Sequence, residues 1–217
     1  MPVLNTLRSR KQVKWAVVAV VAVALAVAMV LDTKFISGTA GAAGQPAAFS
    51  APDYAAKKWP GLVDQISAKA VDITTLAPAA DADVAAAGKK YGQDLGAGSF
   101  AFPVKATGTV SAVDANFITL SVPGMPDGDV VRIPVGLALN GAPIRDATGT
   151  IKYGDFTDQT DYQAAANALK DISAKQVIAK ADPPSLNGKK ITVTGATATG
   201  GPPKAYAINP VKIEVTQ

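Results

Sequence analysis

The residues best suited to chemistry lie close together between positions 145 and 162. Arg145 and Asp146 are adjacent, Asp155 and Gln159 follow at helical spacing, and Tyr162 comes one turn later. A guanidinium, two carboxylates, an amide and a phenol around a strand-to-helix turn could hold a polar ligand through charge-assisted hydrogen bonds. The competing reading is structural: Asp155 caps the helix, and Arg145 pairs with Asp146 or another Asp to fix a crossing of elements. Caps and ion pairs account for most such clusters, so the structural reading is favoured.

Catalytic alternatives narrow quickly. The 217 residues contain no His and no Cys, and Glu214 is the only glutamate. Histidine-based triads, ordinary zinc and copper sites, thiolate chemistry and disulfides are all excluded, and so is a lipid-anchor cysteine. Asp127-Gly128-Asp129 has the look of a calcium loop but lacks the spaced third carboxylate and the closing Glu, so it reads as a turn. The Gly-rich stretch 195–204, GATATGGPPK, lies between two strands and lacks the order of a phosphate-binding loop; it reads as a hairpin connection. No catalytic residue, cofactor or metal is expected, and the chain is read as not an enzyme.

Charge adds little. Arg8, Arg10, Lys11 and Lys14 account for the whole formal charge of +4, and the rest of the chain is neutral. No nucleic acid is expected as a partner.

Those four basic residues precede an uncharged run of 17, Trp15 to Leu31. As a helix it would extend roughly 26 Å, slightly short of a hydrocarbon core of roughly 30 Å. Phe35 and Ile36 extend it, and Lys14 and Lys34 can snorkel. The expectation is a transmembrane helix over 15–36 with the basic leader 1–14 in the cytosol. That makes a single-pass protein of a bacterial inner membrane whose C-terminal part is periplasmic. A cleaved signal peptide is the rival, with Ala40-Gly41-Ala42 as the site, but it begins nine residues beyond Leu31. Residues 37–52, rich in Gly, Ala, Ser and Pro, read as a flexible tether.

Beyond the tether the pattern is α+β. A helical domain is expected over 53–99, with one helix carrying Trp59, Leu62, Val63, Ile66 and Val71, and Pro60 in its first turn. A second helix should follow Pro78, run through the Ala-rich stretch to Tyr91 and stop at Gly92. Trp59 reads as a core anchor. From Phe100 the period falls to two: Val104 to Ala112, Ile118 to Val122 and roughly Asp129 to Val135 form strands, with a short one near Thr150 to Tyr153. Phe100 and Phe102 share a strand face and read as core rather than a stacking platform. A helix over 158–180 follows, capped by Asp155 or Thr157, and strands at 190–195 and 211–216 close the chain. Three strands, a helix and two strands is the order of an OB-like five-stranded β-barrel, placed at 100–217.

The stretch 144–170, IRDATGTIKYGDFTDQTDYQAAANALK, resembles the signature of DUF2291, a bacterial family of predicted periplasmic lipoproteins. There an RDA-G-I segment leads into a D-F-T-N-Q-x-E-Y helix start. LNGKKITVTGATATGG, INPVKIEV and KYG before the F-P-V-K strand fit as well. Asp158 stands where Asn is usual and Asp161 where Glu is usual, both keeping a polar helix start. The resemblance implies a helical unit beside an OB-like barrel, an exported and often anchored location, and association with sugar ABC transporter components. It implies no catalytic residue.

Overall fold

Ser99–Val113 forms one long strand, β3, on which the architecture is built: Phe100 to Val104 are buried on both faces, and from Val104 to Ser111 buried residues alternate with more exposed ones. The computed structural model describes residues 48–216 together with Trp15. One edge of β3 pairs antiparallel with β4 (Phe117–Ser121), from Thr109↔Ser121 to Val113↔Ile118. The other pairs with β6 (Lys190–Ala198), from Ala101↔Ala198 to Thr109↔Lys190. β4 pairs with β5 (Val130–Pro134), and β6 with β8 (Asn209–Val215).

Closure comes from the end of the chain. β7 (Ala205–Ala207) runs parallel to β5, and a single residue, Ile208, separates it from β8. The Ile208 N–H donates to the Arg132 carbonyl at 2.8 Å, so β7 and β8 behave as one interrupted strand touching β5 first and β6 afterwards. The barrel strands are therefore β3, β4, β5, β6 and β7–β8, with the main helix between β5 and β6. Two short strands, β1 (Val71–Asp72) and β2 (Gln93–Gly96), complete an eight-stranded mixed sheet by pairing with β3. Val104, Ile118, Ile133, Ile191, Val193 and Ile208 fill the interior, with Phe100 and Phe102 also buried there.

The helices pack on this barrel. α1 spans Ala51–Lys69, α2 Ile73–Ala82 and α3 Val84–Tyr91. Residues from Phe49 onward form one compact unit, so the boundary expected at residue 99 is a change of secondary structure inside it. Pro52, not Pro60, occupies the first turn of α1; Pro60 lies mid-helix beside buried Trp59, Leu62 and Ile66, and Val71, expected on the same helix, falls beyond its end in β1 opposite Val104. Burial of that stripe holds a helix that the proline alone would disfavour. Pro78 does not start the second helix either. Asp72 caps α2 by accepting from the Thr74 N–H at 3.0 Å, and the break falls at Asp83, whose carboxylate accepts from the Ala85 and Ala86 amides.

Between β5 and β6 the chain forms α4 (Ala142–Asp146), a 3-10 turn (Tyr153–Asp155) and α5 (Gln159–Ile172). A π-helical segment (Ser173–Ile178) then leads to α6 (Ala179–Ala181). No strand forms near 150–153. The Thr148 and Thr150 hydroxyls bond each other at 2.7 Å, and the backbone turns. A second apolar cluster packs Trp59, Leu62 and Ile66 of α1 against Leu169 of α5 and against Ile144, Ile151 and Val211.

The membrane helix expected over 15–36, the leader 1–14 and most of the tether lie outside the described residues. Among the described residues no helix is long and apolar enough to cross a membrane.

Candidate functional site

Gly141 sets the geometry of the site. A Cβ there would lie only 1.8 Å from the Ala166 carbonyl oxygen, so only glycine lets α4 begin directly against α5. One turn later this approach brings Arg145 and Asp146 under Tyr162. Both charged residues are buried, with 6% and 9% of their surface exposed. Arg145 grips its neighbour through two bonds, Nε to Oδ1 at 2.7 Å and Nη2 to Oδ2 at 2.9 Å. Its Nη1 donates to the Tyr162 carbonyl at 3.0 Å, and its guanidinium carbon sits 3.4 Å from the centre of the Tyr162 ring. The Tyr162 hydroxyl returns to Asp146 Oδ1 at 2.9 Å.

This arrangement satisfies a buried ion pair on several sides, which a pair removed from water requires. It also fixes the phenol as a donor. Burial, and then the Asp146 carboxylate that accepts its proton, push the Tyr162 hydroxyl pKa above its ordinary value. The trio is a rigid floor, and an aromatic cluster extends from it. Tyr153 and Phe156 stand edge-on to Tyr162 at 5.5 and 5.3 Å, and Phe156 also meets Tyr54 and Phe49.

Above the floor opens a cleft of about 490 Å³. Its rim carries Gln93, Asp94 and Leu95 of β2 together with Lys152 and Tyr153; Tyr153 is 55% exposed. Gln93 lies across Gly149, whose φ of +68° favours glycine and leaves the Gln93 amide room to rest on its backbone. Exposed aromatic and polar groups over a pre-ordered base can stack on and hydrogen-bond a small polar molecule.

Of the five residues singled out from sequence, the fold gathers Arg145, Asp146 and Tyr162. The other two are elsewhere. Asp155 does not cap the main helix: its carboxylate accepts from the Lys152 N–H at 3.0 Å and closes the 3-10 turn. Asp158 is the cap, accepting from the Asp161 N–H at 2.9 Å. Gln159 lines a shallow surface dip with Thr160 and Gln163, away from the cleft. The β2 residues and Tyr153 escaped sequence reasoning because β2 has no alternation to reveal it and reaches the cleft only by pairing with β3. Among the described residues no group of three or more acidic side chains could hold a metal ion.

A smaller cleft of about 190 Å³ borders the loop 199–204, with Asp81, Val84 and Tyr206 on its walls. The Tyr206 hydroxyl reaches the Ala77 carbonyl and Asp81 Oδ1, both at 3.2 Å. Asp127-Gly128-Asp129 is a turn, as its sequence suggests: the Asp129 N–H donates to the Pro126 carbonyl.

Comparison with known proteins places these features in a family. The model of DUF2291, described as a predicted periplasmic lipoprotein, matches residues 18–214. The chain belongs to the DUF2291 family. Within solved structures it is similar to an OB-fold protein from Thermotoga maritima, at 18% identity and a TM-score of 0.62, covering 77% of this chain and 99% of that one. At that identity the likeness speaks for the fold alone, and it agrees with the OB-like order of strands. No curated protein sequence matches. The DUF2291 description places the protein in the cell envelope, yet this sequence has no cysteine to carry a lipid.

Proposed function

We propose that this DUF2291 protein is a non-enzymatic accessory protein of the envelope, tethered by its N-terminal helix to the inner membrane. In this reading it binds a small polar ligand in the cleft over Arg145, Asp146 and Tyr162, in the service of a sugar ABC transporter. The observation that carries the reading is the cleft itself: exposed Tyr153, Asp94 and Lys152 stand on a buried, fully bonded floor. A floor that does not rearrange on binding lowers the cost of ordering the site. The tether reading draws on the uncharged run 15–31 behind its basic leader, and the family match begins within that run, at residue 18. Absence of His and Cys from the sequence supports a binding rather than a catalytic role. The transporter link rests on the family resemblance.

Thermal shifts on the full chain across sugars and related polar metabolites test the ligand. One present at 100 times its Kd should stabilise the fold by about 2.7 kcal/mol, and Tyr153→Ala should remove that shift. Capture from native membranes should recover a permease or solute-binding protein, and a reporter active only outside the cytosol should be active when fused after Gln217. Deletion that leaves uptake of every tested sugar unchanged, with no transporter component captured, would sink the transport link. Leu95 and Tyr153, both exposed at the rim, favour one alternative, a protein-docking module without a small ligand. A flat ligand screen combined with a captured partner would select it.

A further inference from the structure

The cleft over Arg145 does not end at Gln93. On the other side of that side chain lies a second basin of about 300 Å³, for which Gln93, Ala147 and Thr148 form part of the wall. Gln93 thus borders both spaces, with Gly149 on the side of the first and Ala147 and Thr148 on the side of the second, and the glutamine amide over Gly149 is the sill between them.

The two basins differ in charge. In the first, Asp94 and Asp146 balance Arg145 and Lys152, whereas no carboxylate lines the second, which is faced by Lys69 and Lys90. Lys69 is the last residue of α1 and Lys90 lies in the last turn of α3. The negative end of a helix favours a lysine at each place separately. It does not account for two lysines from two helices converging on one basin whose wall offers no counter-charge. Among the described residues the ion pairs are Arg145 with Asp146 and Lys212 with Glu214, so neither lysine has a carboxylate partner. Lys69 Nζ makes one long bond, 3.3 Å to the Thr148 carbonyl, and Lys90 Nζ stands 4.9 Å from the Tyr91 ring centre. Both ammonium groups keep donors to spare.

We propose that the two basins form one groove for an anionic ligand: its polar body lies against Tyr153 over the Arg145 floor, and its carboxylate or phosphate is held by Lys69 and Lys90. The inference rests on the binding reading above and adds the charge that the ligand must carry. Calorimetry on the full chain in detergent, with glucose, glucuronate and glucose 6-phosphate as probes, holds the ring constant and varies only the charge. The two acids should bind at least about tenfold more tightly than glucose, because a charge-assisted hydrogen bond contributes on the order of 1.5 kcal/mol or more. Lys69→Gln with Lys90→Gln should bring them down to the affinity of glucose, and raising salt in the wild type should do the same, since exposed charges are screened. The better of the two acids distinguishes a carboxylate from a phosphate ligand. Equal affinity for all three probes would overturn the inference while leaving the binding reading intact. Undiminished acid binding by the double variant, or no binding of any probe, would overturn it as well.

Discussion

Two tyrosines in this fold donate to an aspartate beside a cleft, and the difference between them lies in what else reaches the carboxylate. Under the larger cleft, Tyr162 and Arg145 together enclose Asp146 with three hydrogen bonds. Beside the smaller one, Tyr206 donates to Asp81 on an exposed turn of α2, and no cation joins them. The nearby Lys204 spends its bond on the Asp127 carbonyl at 3.0 Å, while both oxygens of Asp129 are shielded from solvent without a donor. The first cluster is a closed network that fixes α4 on α5. The second is loosely held, with a carboxylate left over. A ligand site needs a floor that stays in place, which is why the first cleft is assigned the binding role and the second is not.

The largest effect should come from opening the closed network. Arg145→Ala leaves Asp146 as an unpaired buried charge and should cost about 3 to 5 kcal/mol in denaturant unfolding. Arg145→Met with Asp146→Leu removes both charges and should recover most of that loss, because the pair itself contributes little net stability. If the single variant unfolds no more easily than the wild type, the network is not closed as described.

Next in size is the contrast between the tyrosines. Tyr162→Phe deprives a buried carboxylate of a donor and should cost about 1 to 3 kcal/mol. Tyr206→Phe affects an exposed aspartate and should cost less than about 1 kcal/mol. Equal losses would mean that burial does not separate the clusters.

The helix leading into the network supplies a smaller test. Asp158→Ala removes the α5 cap and should cost about 0.5 to 2 kcal/mol, with Asp158→Asn restoring most of it. Asp155→Ala opens only a three-residue turn and should cost less, by the same unfolding measurement. Sequence alone assigned the cap to Asp155 or Thr157 and placed Asp158 inside the helix. Both aspartates precede the apolar stripe at suitable distance, and spacing does not say which backbone amides end up without partners.

The same limit runs through the rest of the molecule. β3, β4 and β6 were legible where only one face is buried, which imposes a period of two on residues such as Val104 and Ala106 or Ile191 and Val193, and β8 through its alternating Val211, Ile213 and Val215, although Val215 is exposed. α5 was legible through Ala165, Ala166 and Leu169. Arg145, Asp146 and Tyr162 stood out by type. The remainder of the cleft did not, because Gln93, Asp94, Leu95 and Tyr153 sit on a four-residue strand and a short turn placed by long-range pairing. α4 has five residues, too few to show a helical period, and its position depends on the absence of a side chain at Gly141. Pro60 and Pro78 misled for a related reason: tertiary burial kept helices where local propensity would end them.

The smallest expected effect belongs to the open cluster and depends on pH. Desolvation first, and then the negative charge of Asp81, raise the pKa of Asp129 above the usual carboxylate range, with Lys204 opposing. A folded-state pKa above the unfolded one favours the fold at pH below the ordinary Asp value. That contribution is lost as pH rises through the folded value. Asp129→Asn should therefore raise the melting temperature at pH 7 and change it little near pH 3. The gain should stay below about 1 kcal/mol because the group lies near the surface. A gain at acid pH that vanishes at neutrality would reverse the argument.

The choice between the two clefts can be put to the cell directly. A photoreactive phenylalanine derivative, which keeps an aromatic ring at the rim, in place of Tyr153, and another in place of Val84, on the wall of the open cluster's cleft, can be introduced singly into the full-length chain and irradiated in intact cells. Adducts at 153 that disappear when Arg145→Ala is added, with none at 84, are the predicted result. Adducts at 84 and none at 153 would contradict the assignment of the binding site.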